Sequence, residues 1–158
     1  MTGGPPNTTR DHVFAAVREF YDRVWQDWYR GYPHLRPARL VLVWEDESEG
    51  TPGYWKKKDE LYVYLGEQDA EEIEKEKAGQ RYRLGHLGWY IWKVNLVHEM
   101  LHEYQFKALK EATPAGRALR ASVKHNFEGQ GHDDLFYTAV AEKASYFGVT
   151  PEQLLSDM

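Results

Sequence analysis

"WKVNLVHEMLHEYQF", residues 92–106, contains two histidines four positions apart, with a glutamate directly after the first. The surrounding residues 87–110 include no Pro and only one Gly, and they would place apolar side chains on nearly every side of a helix. A helix that is apolar almost all round is normally buried on most faces. The pattern therefore predicts a buried helix over residues 87–110, with His98 and His102 inside the protein.

The spacing of the two histidines suits a metal site. Residues four apart lie on one face of a helix, so His98 and His102 can converge on one ion, while Glu99 is rotated by about 100° and flanks the bound water. In such an HExxH arrangement Zn²⁺ takes two imidazoles and a third protein ligand, and it lowers the pKa of its water towards ~7. Glu99 would take the proton of that water and later pass it to a leaving amine.

The alternative is a solvated helix stripe bordered by Asn95, with His98 and His102 free of metal and with Glu99 and Glu103 as ordinary surface acids. Burial of two imidazoles and a carboxylate without a partner would be costly in an apolar helix. Metal ligation removes that cost, so the sequence favours the metal site.

A third ligand is expected downstream of the HExxH stretch. The candidates there are His125, Glu128, His132, Asp133, Asp134 and Glu142. His132 is favoured because it follows a Gly-Gln-Gly loop and opens a predicted helix, where a side chain can be directed back at a neighbouring helix. Glu142 lies ten residues further along, about 15 Å away, so it and His132 cannot both bind the ion. Glu142 and His125 stay the main alternatives.

Composition limits the classes of protein that this chain can form. Its 158 residues, 42% of them hydrophobic, fit a single domain over residues 1–158, with residues 1–8 frayed. Because there is no Cys, disulfides, zinc-finger modules and a thiol nucleophile are excluded, and a metal must be held by His, Asp or Glu. The net charge of -5 disfavours strong binding to nucleic acid or to an anionic membrane.

The N-terminus lacks the features of a signal peptide, and no apolar run approaches the length of a membrane span. We therefore expect a soluble, intracellular and cytoplasmic protein that does not insert into a membrane. The sequence does not indicate an oligomeric state.

Local patterns predict a mixture of helices and strands, which is the α+β class. A helix is expected from about Thr8 through residues 12–30, followed by a buried strand over residues 38–46. Residues 69–79 alternate charges and predict an exposed helical turn or a mobile flap. Further helices are expected over residues 113–124 and 132–148.

The last helix is expected to begin at a capping box formed by Thr150 and Gln153. It completes a set of helices on the C-terminal side of the HExxH stretch.

Another strand is predicted from Leu61 to Leu65, with Val63 on the same face as those two residues and with Tyr62 and Tyr64 on the other. This strand is the candidate edge that pairs with an extended substrate through backbone hydrogen bonds. On this interpretation Tyr62, Val63 and Tyr64 are the substrate-binding residues.

Lys56, Lys57 and Lys58 precede this strand. A run of three lysines most often forms a solvated turn, and contact with phosphate or an acidic substrate is the alternative.

Three segments together resemble the SprT-like zinc metallopeptidases, the family that includes Spartan. They are "GYWKKKDELYVYLG", then "HEMLH", then "GHDDLF", and the resemblance covers roughly residues 40–147. In that family a strand with hydrophobic alternation precedes HExxH, and a His with a Phe four positions on follows it. His132 and Phe136 match that spacing.

The resemblance implies a zincin-like domain, in which a small β-sheet packs against a central HExxH helix with additional C-terminal helices. It also implies one Zn²⁺ per chain held by His98, His102 and His132, with Glu99 as the general base. The implied activity is hydrolysis of peptide bonds in a protein or peptide substrate. The alternatives are a zincin-like binding or inhibitory module with a structural or absent metal, and a metal-dependent hydrolase of another substrate class.

Overall fold

The computed structural model of the protein describes residues 4–44, 50–80, 85–109, 118–119 and 134–158, and it has the predicted α+β composition. The described elements, in chain order, are α1 (Gly4–Trp28), β1 (Arg39–Trp44), β2 (Gly53–Trp55), β3 (Glu60–Leu65), α2 (Glu67–Lys77), α3 (Ile91–Lys107), α4 (Asp134–Lys143), a 3₁₀ turn (Ala144–Phe147) and α5 (Pro151–Asp157). None of the described helices combines the length and the apolar character that crossing a bilayer requires.

Helix α1 begins at Gly4, four residues before the predicted start at Thr8. The earlier start is compatible with Pro5 and Pro6, because the first turn of a helix does not use its backbone N–H groups for internal hydrogen bonds. The fraying expected for residues 1–8 stays a prediction, since a helix can fray at its end.

The three strands form one sheet in the order β1-β3-β2. Strand β3 pairs with β1 in parallel and with β2 in antiparallel, so it is the central strand. The prediction that β3 is an edge for substrate pairing is therefore wrong. Tyr62, Val63 and Tyr64 pair with β1 residues on one side, and Tyr62 also pairs with Gly53 on the other.

Strand β2 was not predicted as a separate element. A turn over Lys56–Asp59 folds β2 back onto β3, with the Asp59 N–H donating to the Lys56 carbonyl at 3.3 Å. Asp59 adopts a left-handed backbone conformation with φ of 54°. Asp is among the few non-glycine residues that enter this region readily. The turn therefore places β2, and not β3, at the edge of the described sheet.

One face of the sheet is apolar and lies in the core. Leu61, Val63 and Leu65 are buried, as the alternating pattern of β3 predicts. Helix α3 packs against this sheet and also contacts α1 and α4, so it occupies the centre of the fold. It begins at Ile91, later than predicted, after Gly88 in the left-handed conformation.

The remaining helices differ from expectation mainly in length. Residues 67–77 form a helix, α2, so the helical alternative predicted for residues 69–79 is confirmed, but the helix is longer than one turn and buries Glu72 and Ile73. Helix α5 has its predicted capping box: Gln153 N–H donates to Thr150 Oγ1 at 3.1 Å, and Thr150 N–H donates to Gln153 Oε1 at 3.0 Å. The predicted helix over residues 113–124 lies almost wholly outside the described residues.

Candidate active site

Helix α3 brings His98 and His102 together, as their spacing predicts. Their ring centroids are 5.0 Å apart. Phe136 of α4 packs on both rings, at 5.6 Å from His98 and 4.6 Å from His102. Both histidines are half-buried rather than fully inside. A half-buried pair keeps access from solvent, which a catalytic metal site needs and a core pair would lack.

The orientation of His102 is fixed by a buried amide. His102 Nδ1 lies 2.8 Å from Gln105 Oε1, and Gln105 is only 1% exposed. A carboxamide oxygen can only accept a hydrogen bond, so in the neutral ring Nδ1 of His102 is the donor and Nε2 is the nitrogen with the lone pair. Metal-binding histidines usually have such a partner on the other ring nitrogen. The described part of the site therefore fits a metal ion.

Glu99 lies beside β2. The backbone N–H of Tyr54 donates a hydrogen bond to the Glu99 carboxylate. Burial raises the pKa of Glu99 from its ordinary value of 4.5 to about 7, and the Tyr54 hydrogen bond lowers it by a smaller amount. A carboxyl group with a pKa near neutrality is suited to accept and return a proton.

The Tyr54 hydrogen bond also shows which edge of the described sheet lies beside Glu99. In a strand, successive backbone N–H groups point to opposite sides. Because the Tyr54 N–H is directed to Glu99, it points away from β3. The outer edge of β2 therefore borders the candidate catalytic carboxylate, a relation that the sequence did not reveal.

Glu103, one turn beyond Glu99, is not a surface acid. It is 0% exposed, and its carboxylate accepts hydrogen bonds from Tyr21 Oη at 2.9 Å, from Trp25 Nε1 at 3.1 Å and from the Ala38 N–H at 3.0 Å. Burial raises its pKa, while the charge of Lys107 and the hydrogen bonds from Lys107, Tyr21 and Ala38 lower it by a smaller amount. Glu103 thus joins α1, the segment before β1 and α3, and its role is structural.

A continuous set of contacts leads from Glu103 to the strand beside Glu99. Lys107 Nζ lies 2.8 Å from both Glu103 Oε2 and Asp59 Oδ1. Asp59 Oδ1 in turn accepts a hydrogen bond from Tyr54 Oη at 2.7 Å. The β2–β3 turn is therefore tied to α3 by charged and hydrogen-bonded groups, and this fixes the position of the Tyr54 amide against Glu99.

No third candidate ligand joins the histidine pair among the described residues. Within residues 4–44, 50–80, 85–109, 118–119 and 134–158, no group of three His, Asp or Glu side chains is arranged to hold a metal. Four of the candidate ligands lie outside those ranges, namely His125, Glu128, His132 and Asp133. The assignment of His132 stays a prediction.

Glu142, an alternative third ligand, has another partner. Its Oε1 accepts a hydrogen bond from Tyr104 Oη at 2.7 Å, and its side chain is exposed. Tyr104 follows His102 by two positions, so the two side chains leave α3 about 200° apart. The structure therefore places Glu142 on a different side of α3 from the histidine pair.

Comparison of the chain with known protein families, curated proteins and solved structures finds no match. The resemblance to SprT-like peptidases and the zincin-like fold stay predictions from the sequence.

The raised pKa of Glu99 predicts a pH-dependent stability in chelator-treated protein. Because the folded-state pKa lies above the unfolded value, the folded protein binds this proton more tightly, and the free energy of unfolding falls as pH rises through about 4.5 to 7. Between about pH 5 and about pH 8, the free energy of unfolding of wild type should fall by about 2.5 kcal/mol relative to that of Glu99→Gln. Urea denaturation of both proteins at the two pH values measures this difference. If the free energy of unfolding changes with pH in the same way in both proteins, the pKa of Glu99 is not raised.

Proposed function

We propose that the protein is a zinc-dependent metalloprotease, with His98, His102 and His132 as ligands and Glu99 as the general base. The observation that carries the proposal is the pairing of two half-buried imidazoles with a protonatable carboxylate at the outer edge of β2 in the described sheet. Zinc bound there would lower the pKa of a water molecule and polarise a scissile carbonyl.

The residues of the chain have separable roles in this proposal. Gln105 holds the His102 ring through Nδ1, and Nε2 is the nitrogen that would bind the ion. Glu99 accepts the proton of the attacking water and returns it to the leaving amine. The Tyr54 amide keeps the Glu99 carboxylate in place and is itself fixed through Asp59.

Substrate binding is proposed at β2 and not at β3. An extended chain that pairs with the outer edge of β2 by backbone hydrogen bonds would lie directly beside Glu99. Val63 and Tyr64 remain candidate substrate-binding residues in another way, because they line a cavity of about 210 Å³ together with Asn95 of α3. Asn95 lies one helical turn before Glu99. The cavity could hold one substrate side chain next to the scissile bond.

Removal of the metal tests the proposed function. Purified wild type is expected to contain about one zinc per chain, in the range that a mononuclear three-ligand site implies, and to cleave an unstructured protein such as casein. Chelation should abolish the cleavage, and stoichiometric zinc should restore it. Zinc should also raise the midpoint of thermal unfolding, because an ion that binds only the folded state stabilises it.

The control for contaminating proteases is His98→Ala prepared in the same way, which should show neither zinc nor cleavage. Wild type that takes up no metal even with excess zinc would refute the proposal. So would cleavage that survives complete removal of the metal.

A further inference from the structure

The β2–β3 turn and the neighbouring end of α3 form an exposed surface that the proposed catalytic roles do not use. We define this surface, the aromatic–lysine surface, as Trp55, Lys56, Lys57, Lys58 and Phe106. Trp55 is 57% exposed and Phe106 is 44% exposed, and they are among the most exposed large apolar side chains of the described chain. Large aromatic side chains in solvent are a recurrent feature of binding surfaces.

The two aromatic residues lie on opposite faces of β2. The Tyr54 ring faces α3 and stacks on Phe106, with ring centroids 6.2 Å apart. Trp55 follows Tyr54 and therefore points to the other face, where its ring lies 6.1 Å from Tyr62. A strand added to the outer edge of β2 would direct alternate side chains to these two faces, so each face offers it an aromatic contact.

The three lysines give this surface a positive charge. Lys56 Nζ lies 4.6 Å from the centroid of the Phe106 ring, and Lys58 Nζ lies 5.7 Å from that of Trp55. In the part of the chain that the structure describes, none of the three lysines is in an ion pair, although acidic residues outnumber basic ones in the sequence. Three cations that have no carboxylate partner among the described residues favour an anionic ligand.

The distance from Glu99 sets which substrate residues would meet the lysines. Lys56, Lys57 and Lys58 follow Tyr54, whose amide bonds Glu99, by two to four residues. A chain that pairs with β2 would therefore meet them about three residues from the bond beside Glu99.

We infer that the protein binds extended polypeptide segments that carry acidic residues about three positions from the bond beside Glu99, with aromatic or aliphatic residues between them. The inference rests on the proposed protease function, because it names the substrate class of that site. The outer edge of β2, which has no partner strand among the described residues, favours a polypeptide, since a peptide backbone can pair with it and a nucleic acid backbone cannot. The net charge of -5 also weakens any general attraction to nucleic acid.

The test measures binding without requiring catalysis. Fluorescently labelled extended peptides of one apolar sequence, with Glu, Gln or Lys at the flanking positions, are titrated with the Glu99→Gln chain and followed by anisotropy. The same titrations use this chain with Lys56, Lys57 and Lys58 changed to Gln. The matched control changes Lys75 and Lys77, two exposed lysines of α2, to Gln.

The Glu peptide is expected to bind about tenfold more tightly than the Gln peptide and to lose about tenfold in affinity in the triple lysine variant. The α2 control should bind it as the parent does. Binding should weaken between about 0.05 M and about 0.5 M salt, because exposed charges are screened. Trp55→Ala should weaken binding of both the Glu and the Gln peptide.

Equal affinity for the Glu and Lys peptides would overturn the inference, as would equal losses in the triple variant and in the α2 control. Lysine-dependent binding of an oligothymidylate, with no binding of the Glu peptide, would assign the surface to nucleic acid and overturn it too. Charge-selective peptide binding by a protein that shows no zinc-dependent cleavage would support the binding surface and refute the protease. Zinc-dependent cleavage without any charge preference would support the protease and refute the binding surface.

Discussion

Replacing Glu99 by Gln is expected to lower zinc-dependent cleavage of an unstructured protein by about a thousandfold, while the variant still binds zinc. The amide has the shape of the carboxyl group but cannot accept the proton of the attacking water at neutral pH. Because Glu99 is not a ligand in the proposed site, the two imidazoles and the third ligand stay in place. Initial rates of cleavage and the zinc content of the same preparation measure the two effects.

The control is Glu74→Gln, which changes an exposed glutamate of α2 and should leave both cleavage and zinc binding unchanged. Full cleavage by Glu99→Gln, in preparations where His98→Ala is inactive, would show that another group is the base. Loss of zinc together with cleavage would make Glu99 a ligand instead. Either result would contradict the mechanism proposed for Glu99.

Local patterns in the sequence are sufficient for the parts of this fold in which burial alternates with a simple period. Leu61, Val63 and Leu65 are buried because every second residue of a strand points to the same face. The capping box at Thr150 forms because both of its partners lie within four residues of each other. These interactions involve neighbours in the chain, so the sequence contains all that is needed to predict them.

The order of the strands could not be predicted in the same way. The segment Gly53–Trp55 is only three residues long, and its strand character comes from pairing with β3 across the turn at Lys56–Asp59. A run of three lysines gives no periodic signal, and the left-handed conformation of Asp59 is set by the turn itself. The prediction that β3 is an edge was wrong because Gly53–Trp55 folds back and pairs with β3.

The same distinction between contacts of chain neighbours and contacts of distant residues applies to the candidate site. The contact of His102 with Gln105 joins residues three apart on one helix, and the spacing could have shown it. The hydrogen bond from Tyr54 to Glu99 joins residues 45 positions apart, as the difference of their numbers gives, and nothing in either local segment predicts it. Burial of Glu103 also depends on distant partners, Tyr21 and Ala38. The sequence thus identifies the histidine pair but not the groups that hold Glu99 and β2.

Replacing His132 by Ala is expected to weaken zinc binding by roughly a hundredfold, because one of three protein ligands is lost. Glu142→Ala should leave zinc binding unchanged, since the Glu142 carboxylate accepts a hydrogen bond from Tyr104 and lies on a different side of α3 from His102. His125→Ala should also have no effect if His132 is the ligand.

Competition titrations against a chromogenic zinc chelator measure the three affinities, and circular dichroism of the metal-free variants establishes whether each one is folded. The matched comparison is His132→Ala with His125→Ala, because both remove one imidazole from the segment between α3 and α4. A large loss of affinity in His125→Ala or Glu142→Ala, with His132→Ala close to wild type, would reverse the assignment. The resemblance to SprT-like peptidases would then lose the residue that most specifically connects this chain to their pattern, while His98 and His102 would remain as a metal-binding pair.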